Sequence, residues 1–157
     1  MSQPVERANR TILTHEGGYR FRVRFDEAGM PDLLTDEMPP IGEGKGPTPA
    51  RLLATAVANC LAASLLFCLQ KARVSLDGLE AEVITEFTRN EAGRLRIGDM
   101  RVKLHPKWTA EAAEKAQRCL GIFESFCVVT ESVRHGVPVN VEVQGVPSAA
   151  EGSGGQP

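Results

Sequence analysis

One segment constrains the fold of this chain more than any other. Residues 52–70 are almost wholly apolar, and Thr48 and Pro49 stand in front of them as a capping hydroxyl and a first-turn proline. This pattern predicts a helix from Thr48 to about Ala72, roughly 36 Å long. A helix that is apolar on every side must be surrounded by protein. A domain of 157 residues can hardly enclose it alone, which suggests a dimer.

The same segment is also near the minimum length of a membrane span. It is rich in alanine, is interrupted by Thr55, Asn59 and Ser64, and lacks flanking tryptophan or tyrosine. A buried core helix is therefore the better interpretation.

Length and charge exclude several classes of protein. The chain is long enough for one domain with a core, and its net charge of −2 gives no basic field for nucleic acid or an acidic membrane. The polar N-terminus shows no secretory signal, so we expect a cytoplasmic protein with reduced thiols. Four cysteines in that compartment are expected to be core or catalytic residues rather than a disulfide framework.

The rest of the chain alternates strands and short helices. Strands are predicted at residues 7–14, 19–25 and 31–36, followed by a Gly/Pro-rich loop over 37–49. A hairpin is predicted from residues 79–89 and 94–105, and its apolar phase slips at Gly98–Asp99, which indicates a β-bulge. Helices are expected from Thr109 to about Cys119 and over 127–134, with Ser125 as a possible cap. Alternating valines over 137–143 predict a last, half-buried strand.

The thiols divide into two kinds by local context. Cys60 lies in an apolar helix, where cysteine is usually a small hydrophobic residue, and a reactive thiol would need a positive neighbour. The arginine row Arg20, Arg22 and Arg24 could supply one, although it also fits a solvated strand face. Cys127 is predicted at a helix start, where backbone N–H groups favour thiolate.

No cofactor is predicted. There is no CxxC pair, and the three histidines are scattered, so a metal site is not expected.

Two motifs resemble the OsmC/Ohr family of organic hydroperoxide resistance proteins. They are GPTPARLLATAVANC, residues 46–60, and FCVVTESVRHGVPVNVEV, residues 126–143. The resemblance implies an α+β fold, in which antiparallel sheets wrap a long buried central helix in an intertwined homodimer with its active sites at the interface. Residues 1–146 would form a single OsmC-like domain, and residues 147–157 a flexible C-terminal tail.

The resemblance also implies a cysteine-based thiol peroxidase. Cys60 would attack an organic hydroperoxide and become a sulfenic acid, Cys127 would resolve it as a disulfide, and a dithiol, of lipoyl type in some members, would reduce it. Arg20 is the nearest match to the arginine that activates the thiol, with Arg22 and Arg24 as alternatives. Cys68 and Cys119 match no family role and are expected in the core.

One departure affects this mechanism. Peroxidase members carry a glutamate ten residues before the attacking cysteine, which holds the arginine, whereas this chain has Ala50 followed by Arg51. Glu43 in the preceding loop is a candidate substitute, without a spacing argument to support it. The departure favours the alternative of a non-enzymatic protein that binds an apolar ligand or senses oxidation.

Overall fold

A computed structural model describes residues 4–145 of the chain. The fold combines a three-stranded sheet, a long central helix, a long β-hairpin and a group of short helices. The elements are β1 (Thr11–His15), β2 (Phe21–Phe25), β3 (Leu33–Thr35), α1 (Pro49–Lys71), β4 (Gly78–Arg89), β5 (Leu95–Lys107), α2 (Ala110–Lys115), α3 (Gln117–Ile122), a 3₁₀ turn (Phe123–Phe126) and α4 (Val128–His135).

The N-terminal sheet is antiparallel with β2 in the middle. Thr11 of β1 pairs with Phe25, and Phe21 pairs with Thr35 of β3. Val23 is buried at its centre, while Phe21 and Phe25 remain more than a third exposed. The sheet is not among the elements that pack extensively on α1, so within one chain it lies aside from the core.

The central helix begins and ends where the sequence predicts. The Thr48 hydroxyl accepts the N–H of Arg51 at 3.4 Å, Pro49 is the first helical residue and Ala72 closes the helix. One side packs on the β4–β5 hairpin, α3, the 3₁₀ turn and α4. That side carries the buried residues Ala54, Val57, Ala58, Leu61, Leu65 and Leu69.

The other side of α1 is uncovered. Leu53 and Leu66 are each 37% exposed and Phe67 is 61% exposed. By length and hydropathy α1 could cross a membrane, yet a third of its apolar window is buried against the chain's own elements. The predicted core helix is present, and a single chain covers only one of its sides.

The predicted β-bulge is confirmed. Glu86 pairs with Asp99 and Phe87 pairs with Ile97, so Gly98 is left without an opposite residue. A Cβ at Gly98 would lie 2.5 Å from the Thr88 side chain, which explains why the bulge carries glycine. The bulge absorbs the phase slip that the sequence shows.

The C-terminal third departs from the prediction in three places. The helix predicted from Thr109 to Cys119 breaks at the fully buried Ala116 into α2 and α3. Ser125 does not cap α4, because its hydroxyl donates to the Ile122 carbonyl and Cys127 takes the cap position. The half-buried strand over 137–143 is wrong for this chain: its valines are 61–83% exposed and no strand pairs with them. The predicted tail lies outside the described residues.

A disulfide joins Cys68 of α1 to Cys119 of α3, with Cα atoms 5.6 Å apart. Both residues lie in or against the core cluster of Leu65, Leu69, Val74 and Ala116, so the prediction of core positions is correct. The expectation that Cys68 and Cys119 are reduced core thiols outside any disulfide framework is wrong, because they are bonded to each other. Local sequence does not show this pairing because the two residues are 51 positions apart.

We predict that Cys68→Ala/Cys119→Ala lowers the free energy of unfolding by about 2–4 kcal/mol, because the bond closes a long loop in the unfolded chain. Urea unfolding without reductant measures the loss. Wild type with this bond reduced is the matched control and should lose a similar amount. Equal stability of the oxidised wild type and the variant would contradict the prediction.

Candidate functional site: a thiol pair at the start of α4

Cys60 and Cys127 are the free cysteines of the described chain, and the fold brings them together. Cys60 lies on α1 and Cys127 caps the N-terminus of α4, so the predicted position of Cys127 at a helix start is confirmed. Both belong to one apolar cluster with Val57 and Leu61. Cys60 packs against the cluster that contains Cys127, and each thiol shifts the pKa of the other.

Cys127 is the thiol that this environment ionises more easily. Its side chain is wholly buried, and a 3.0 Å hydrogen bond joins its sulfur to the Thr130 hydroxyl. Burial alone would raise the pKa of Cys127, but the polar groups of Cys60, Thr130 and Ser64 around it outweigh burial and lower the pKa. The start of α4 adds a favourable field for negative charge.

Cys60 has the opposite shift. Burial and the neighbouring Cys127 raise the pKa of Cys60, although the backbone of Val129 and Thr130 acts the other way. Cys60 needs a nearby positive charge to become the thiolate. Within one chain, no arginine contributes to the shift in the pKa of Cys60.

The candidate arginines have partners of their own. Arg20 donates to Glu43 at 2.6 Å and to the Glu16 carbonyl at 3.4 Å. Arg22 forms an ion pair with the Glu16 carboxylate at 2.5 Å, while Arg24 is an exposed residue of β2. Of the three, Arg20 alone pairs with the loop that leads into α1.

Asp36 organises that loop. Its carboxylate is 1% exposed and accepts the backbone N–H groups of Glu37 at 2.8 Å, Glu43 at 3.1 Å and Lys45 at 3.0 Å. Gly42 and Gly46 permit the tight wrap, because a Cβ at either would lie about 2 Å from a backbone carbonyl oxygen. The loop is thereby fixed with Glu43 facing Arg20. Asp36 is not among the site residues predicted from the sequence. An acidic residue directly before a glycine-rich loop is the pattern that indicates a carboxylate bonded to the loop backbone.

Within one chain, the arginine and the thiol pair are separated. The Asp36 N–H bonds to the Pro47 carbonyl at 3.4 Å, which places the loop at the N-terminal end of α1. Cys60 lies twelve residues beyond the cap Thr48, about 18 Å along the helix axis. The structure thus brings Cys60 and Cys127 together at the middle of α1 but leaves Arg20 beside the N-terminal end of that helix.

An open cavity of about 650 Å³ lies beside the thiol pair. Val57, Leu61 and Thr130 line it on the side of the cysteines, and Asp99, Glu124 and Arg134 stand among its other lining residues. Arg134 is engaged by Glu124 at 2.6 Å and by Glu131 at 2.8 Å. Across residues 4–145, no group of three or more metal-ligating side chains is assembled.

Sequence comparison decides the family. The family model described as OsmC-like protein matches residues 42–142, which contain both free cysteines. The chain belongs to the OsmC-like family. Comparison with the curated proteins found no match.

Solved structures share the fold. The organic hydroperoxide resistance protein OhrB of Bacillus subtilis is 22% identical, with a TM-score of 0.57 over 80% of this chain and 90% of that chain. The organic hydroperoxide resistance protein OsmC of Legionella pneumophila is 15% identical, with a TM-score of 0.64 over 83% and 92%. An OsmC-like protein of Mycoplasma pneumoniae is 12% identical, with a TM-score of 0.66 over 83% and 89%. At these identities the likeness establishes the fold.

We predict that Asp36→Asn lowers the thermal midpoint at neutral pH, because an amide cannot replace the carboxylate at three N–H donors. The Lys45 N–H, and those of Glu37 and Glu43, lower the pKa of Asp36 in the folded chain. The carboxylate therefore stabilises the fold above its unfolded pKa of about 3.9, and the contribution disappears as pH falls through the lower folded value.

The difference between wild type and Asp36→Asn should accordingly shrink as pH is lowered below about 4. Thermal melts over a pH series measure it. Asp77→Asn, at an exposed carboxylate, is the control and should show little difference at any pH. A wild-type advantage that stays constant down to acid unfolding would contradict the role given to Asp36.

Proposed function

We propose that this protein is a thiol peroxidase that reduces organic hydroperoxides through Cys60 and Cys127. The observation that carries the proposal is the packing of Cys60, a free thiol, against the cluster that contains the second free thiol, Cys127, at the start of α4. Two proteins of the same fold are named organic hydroperoxide resistance proteins, which supports this class of substrate. The apolar wall of Val57 and Leu61 beside the pair suits an organic rather than a purely aqueous peroxide.

The reaction consumes one hydroperoxide and two thiols. The Cys60 thiolate attacks the distal oxygen of ROOH, the O–O bond breaks, and the alkoxide leaves with a proton as the alcohol. Cys60 is then a sulfenic acid. The Cys127 thiolate attacks that sulfur, forms the S–S bond and releases water after protonation. A dithiol reductant, of which lipoyl type is one candidate, restores both thiols by exchange.

A second copy of the chain would complete the site. The uncovered side of α1 and the exposed valines of residues 137–143 are apolar surfaces that a homodimer would bury. If two α1 helices pair antiparallel through their N-terminal halves, the N-terminal end of one helix lies beside the middle of the other, where Cys60 stands. Arg20 of one chain would then face Cys60 of its partner and favour the thiolate, with Arg22 and Arg24 as the less supported alternatives.

Glu43 supplies the carboxylate that holds the arginine, in place of the family glutamate that is Ala50 in this chain. The Arg20–Glu43 pair at 2.6 Å supports this, and the Asp36 hydrogen bonds hold the Glu43 backbone in place. The arginine is thereby oriented by the loop before α1 rather than by the helix itself. In the proposed setting the protein acts in the cytoplasm, where a dithiol reductant reduces the Cys60–Cys127 bond, while Cys68–Cys119 is shielded because Cys119 is buried in the core cluster.

Removing each thiol should separate the two steps. Cys60→Ser should abolish hydroperoxide reduction, because no sulfenic acid forms. Cys127→Ser should permit one oxidation per chain, then yield sulfinic and sulfonic forms of Cys60 because nothing resolves the sulfenic acid. Intact mass and peptide mapping after one equivalent of cumene hydroperoxide measure both. Reduction by Cys60→Ser at the wild-type rate would remove Cys60 from the mechanism.

The arginine and its carboxylate should affect the first step. A cation near a thiol lowers its pKa by about 1–3 units, so Arg20→Ala should slow Cys60 oxidation at neutral pH roughly tenfold or more. Glu43→Gln should slow it by up to roughly tenfold, because the arginine is no longer held in one position. Stopped-flow oxidation of Cys60 over a pH series gives both rates.

Glu16→Gln is the matched control, since it breaks the Arg22 ion pair in the same sheet and leaves Arg20–Glu43 intact. It should oxidise at nearly the wild-type rate. A larger loss in Glu16→Gln than in Glu43→Gln would move the assignment from Arg20 to Arg22.

The alternative function is a non-enzymatic protein that binds an apolar ligand or senses oxidation. The raised pKa of Cys60 and the 650 Å³ cavity favour it. Reduced protein that is folded and dimeric, yet unmodified by hydroperoxide, would establish this alternative. Repeated turnover with a dithiol reductant would exclude it.

A further inference from the structure

The four cysteines form two pairs along the contact between α1 and the segment from Cys119 to Cys127. Cys60 and Cys68 are eight residues apart on α1, and Cys119 and Cys127 are eight residues apart on the segment that packs against it. Cys60 packs against the cluster that contains Cys127, and Cys68 is bonded to Cys119, so the two segments run antiparallel. The pairs are about 12 Å apart along the axis of α1.

Phe123 lies between the two pairs. It is halfway along the sequence from Cys119 to Cys127, and it packs against both core clusters, the one that holds the disulfide and the one that holds the free thiols. The disulfide end and the thiol end of the segment are therefore in contact through one aromatic side chain.

The segment that carries Cys127 has little stability of its own. Residues 117–127, here named the Cys127 arm, comprise the six-residue α3, the four-residue 3₁₀ turn and Cys127. Neither α3 nor the turn has a side-chain cap. Helices below about 12 residues do not persist without tertiary contacts. The position of Cys127 must therefore be set by what anchors the arm.

We propose that the Cys68–Cys119 disulfide is a positioning bond, which anchors the Cys127 arm on α1 so that Cys127 attacks an oxidised Cys60. Cys68 and Cys119 do not touch the substrate. Their bond fixes the arm at one end. Phe123 packs against both core clusters and so helps to hold the other end of the arm, with Cys127, in a fixed position. The inference deepens the proposed function, because it concerns the step in which Cys127 resolves Cys60.

The test does not need a hydroperoxide. An aryl disulfide reagent transfers a thionitrobenzoate group to Cys60, the more accessible free thiol, and releases one thionitrobenzoate anion. The Cys127 thiolate then attacks the Cys60 sulfur, forms the Cys60–Cys127 disulfide and releases the second anion. The two absorbance phases report modification and resolution separately. Wild type is used after limited reduction, with Cys68–Cys119 shown intact by peptide mapping.

In Cys68→Ala/Cys119→Ala the first phase should stay within about twofold of wild type, because Cys60 lies on α1. The second phase should slow by roughly 10- to 100-fold, as expected for a misplaced attacking atom, and the mixed disulfide should accumulate in mass spectra. Fully reduced wild type gives the same comparison without any substitution when the Cys60–Cys127 bond is followed by peptide mapping, because its Cys68 and Cys119 thiols also release thionitrobenzoate. It replaces the variant if the variant does not fold.

Val74→Ala is the matched control, because it weakens the cluster around the disulfide without cutting the bond. Its second phase should remain near that of wild type. An unchanged second phase in the double variant and in reduced wild type would overturn the proposal, and so would an equal slowing in Val74→Ala. Failure of wild type to react with hydroperoxide would contradict the peroxidase function. The aryl disulfide test would still be valid, because it uses no hydroperoxide.

Discussion

The burial of α1 is the constraint on which the rest of the structure depends. Its apolar residues cover every face, yet the chain's own elements pack on one side and leave Leu53, Leu66 and Phe67 partly in water. A continuous apolar face of this kind calls for a partner surface. The thiol site lies on the covered side, and the arginine loop lies at the end of the helix. Within one chain the two parts of the site are therefore about 18 Å apart along the helix axis, and the proposed dimer is what would bring them together.

Two polar arrangements stand out against this apolar core. The thiol pair uses the start of α4 and the Thr130 hydroxyl to stabilise one negative charge, and that charge falls on Cys127 rather than Cys60. The Asp36 loop uses three backbone N–H groups to fix a buried carboxylate and, with it, the Arg20–Glu43 pair. Within each arrangement the polar groups have their own partners. Peroxide chemistry at Cys60 requires the Arg20–Glu43 pair to lie beside the thiol pair.

Local patterns in the sequence predict α1, its caps, the hairpin and the bulge at Gly98, because these depend on residues near one another in the chain. They also place Cys127 at a helix start. The Cys68–Cys119 bond and the Asp36 hydrogen bonds depend on contacts across the fold, which periodicity cannot show. The valine strand fails for a related reason: a strand needs a neighbour, and no strand within residues 4–145 pairs with residues 137–143.

Subunit complementation tests the shared site most directly. Differently tagged Arg20→Ala and Cys60→Ser chains are co-expressed, and the heterodimer is purified through both tags. If Arg20 acts on the Cys60 of the partner, the Arg20→Ala chain receives an intact arginine from the Cys60→Ser chain. The heterodimer should then oxidise its single Cys60 at the rate of a wild-type site, while both parent homodimers remain slow. A heterodimer no faster than the Arg20→Ala homodimer would contradict a site built from two chains.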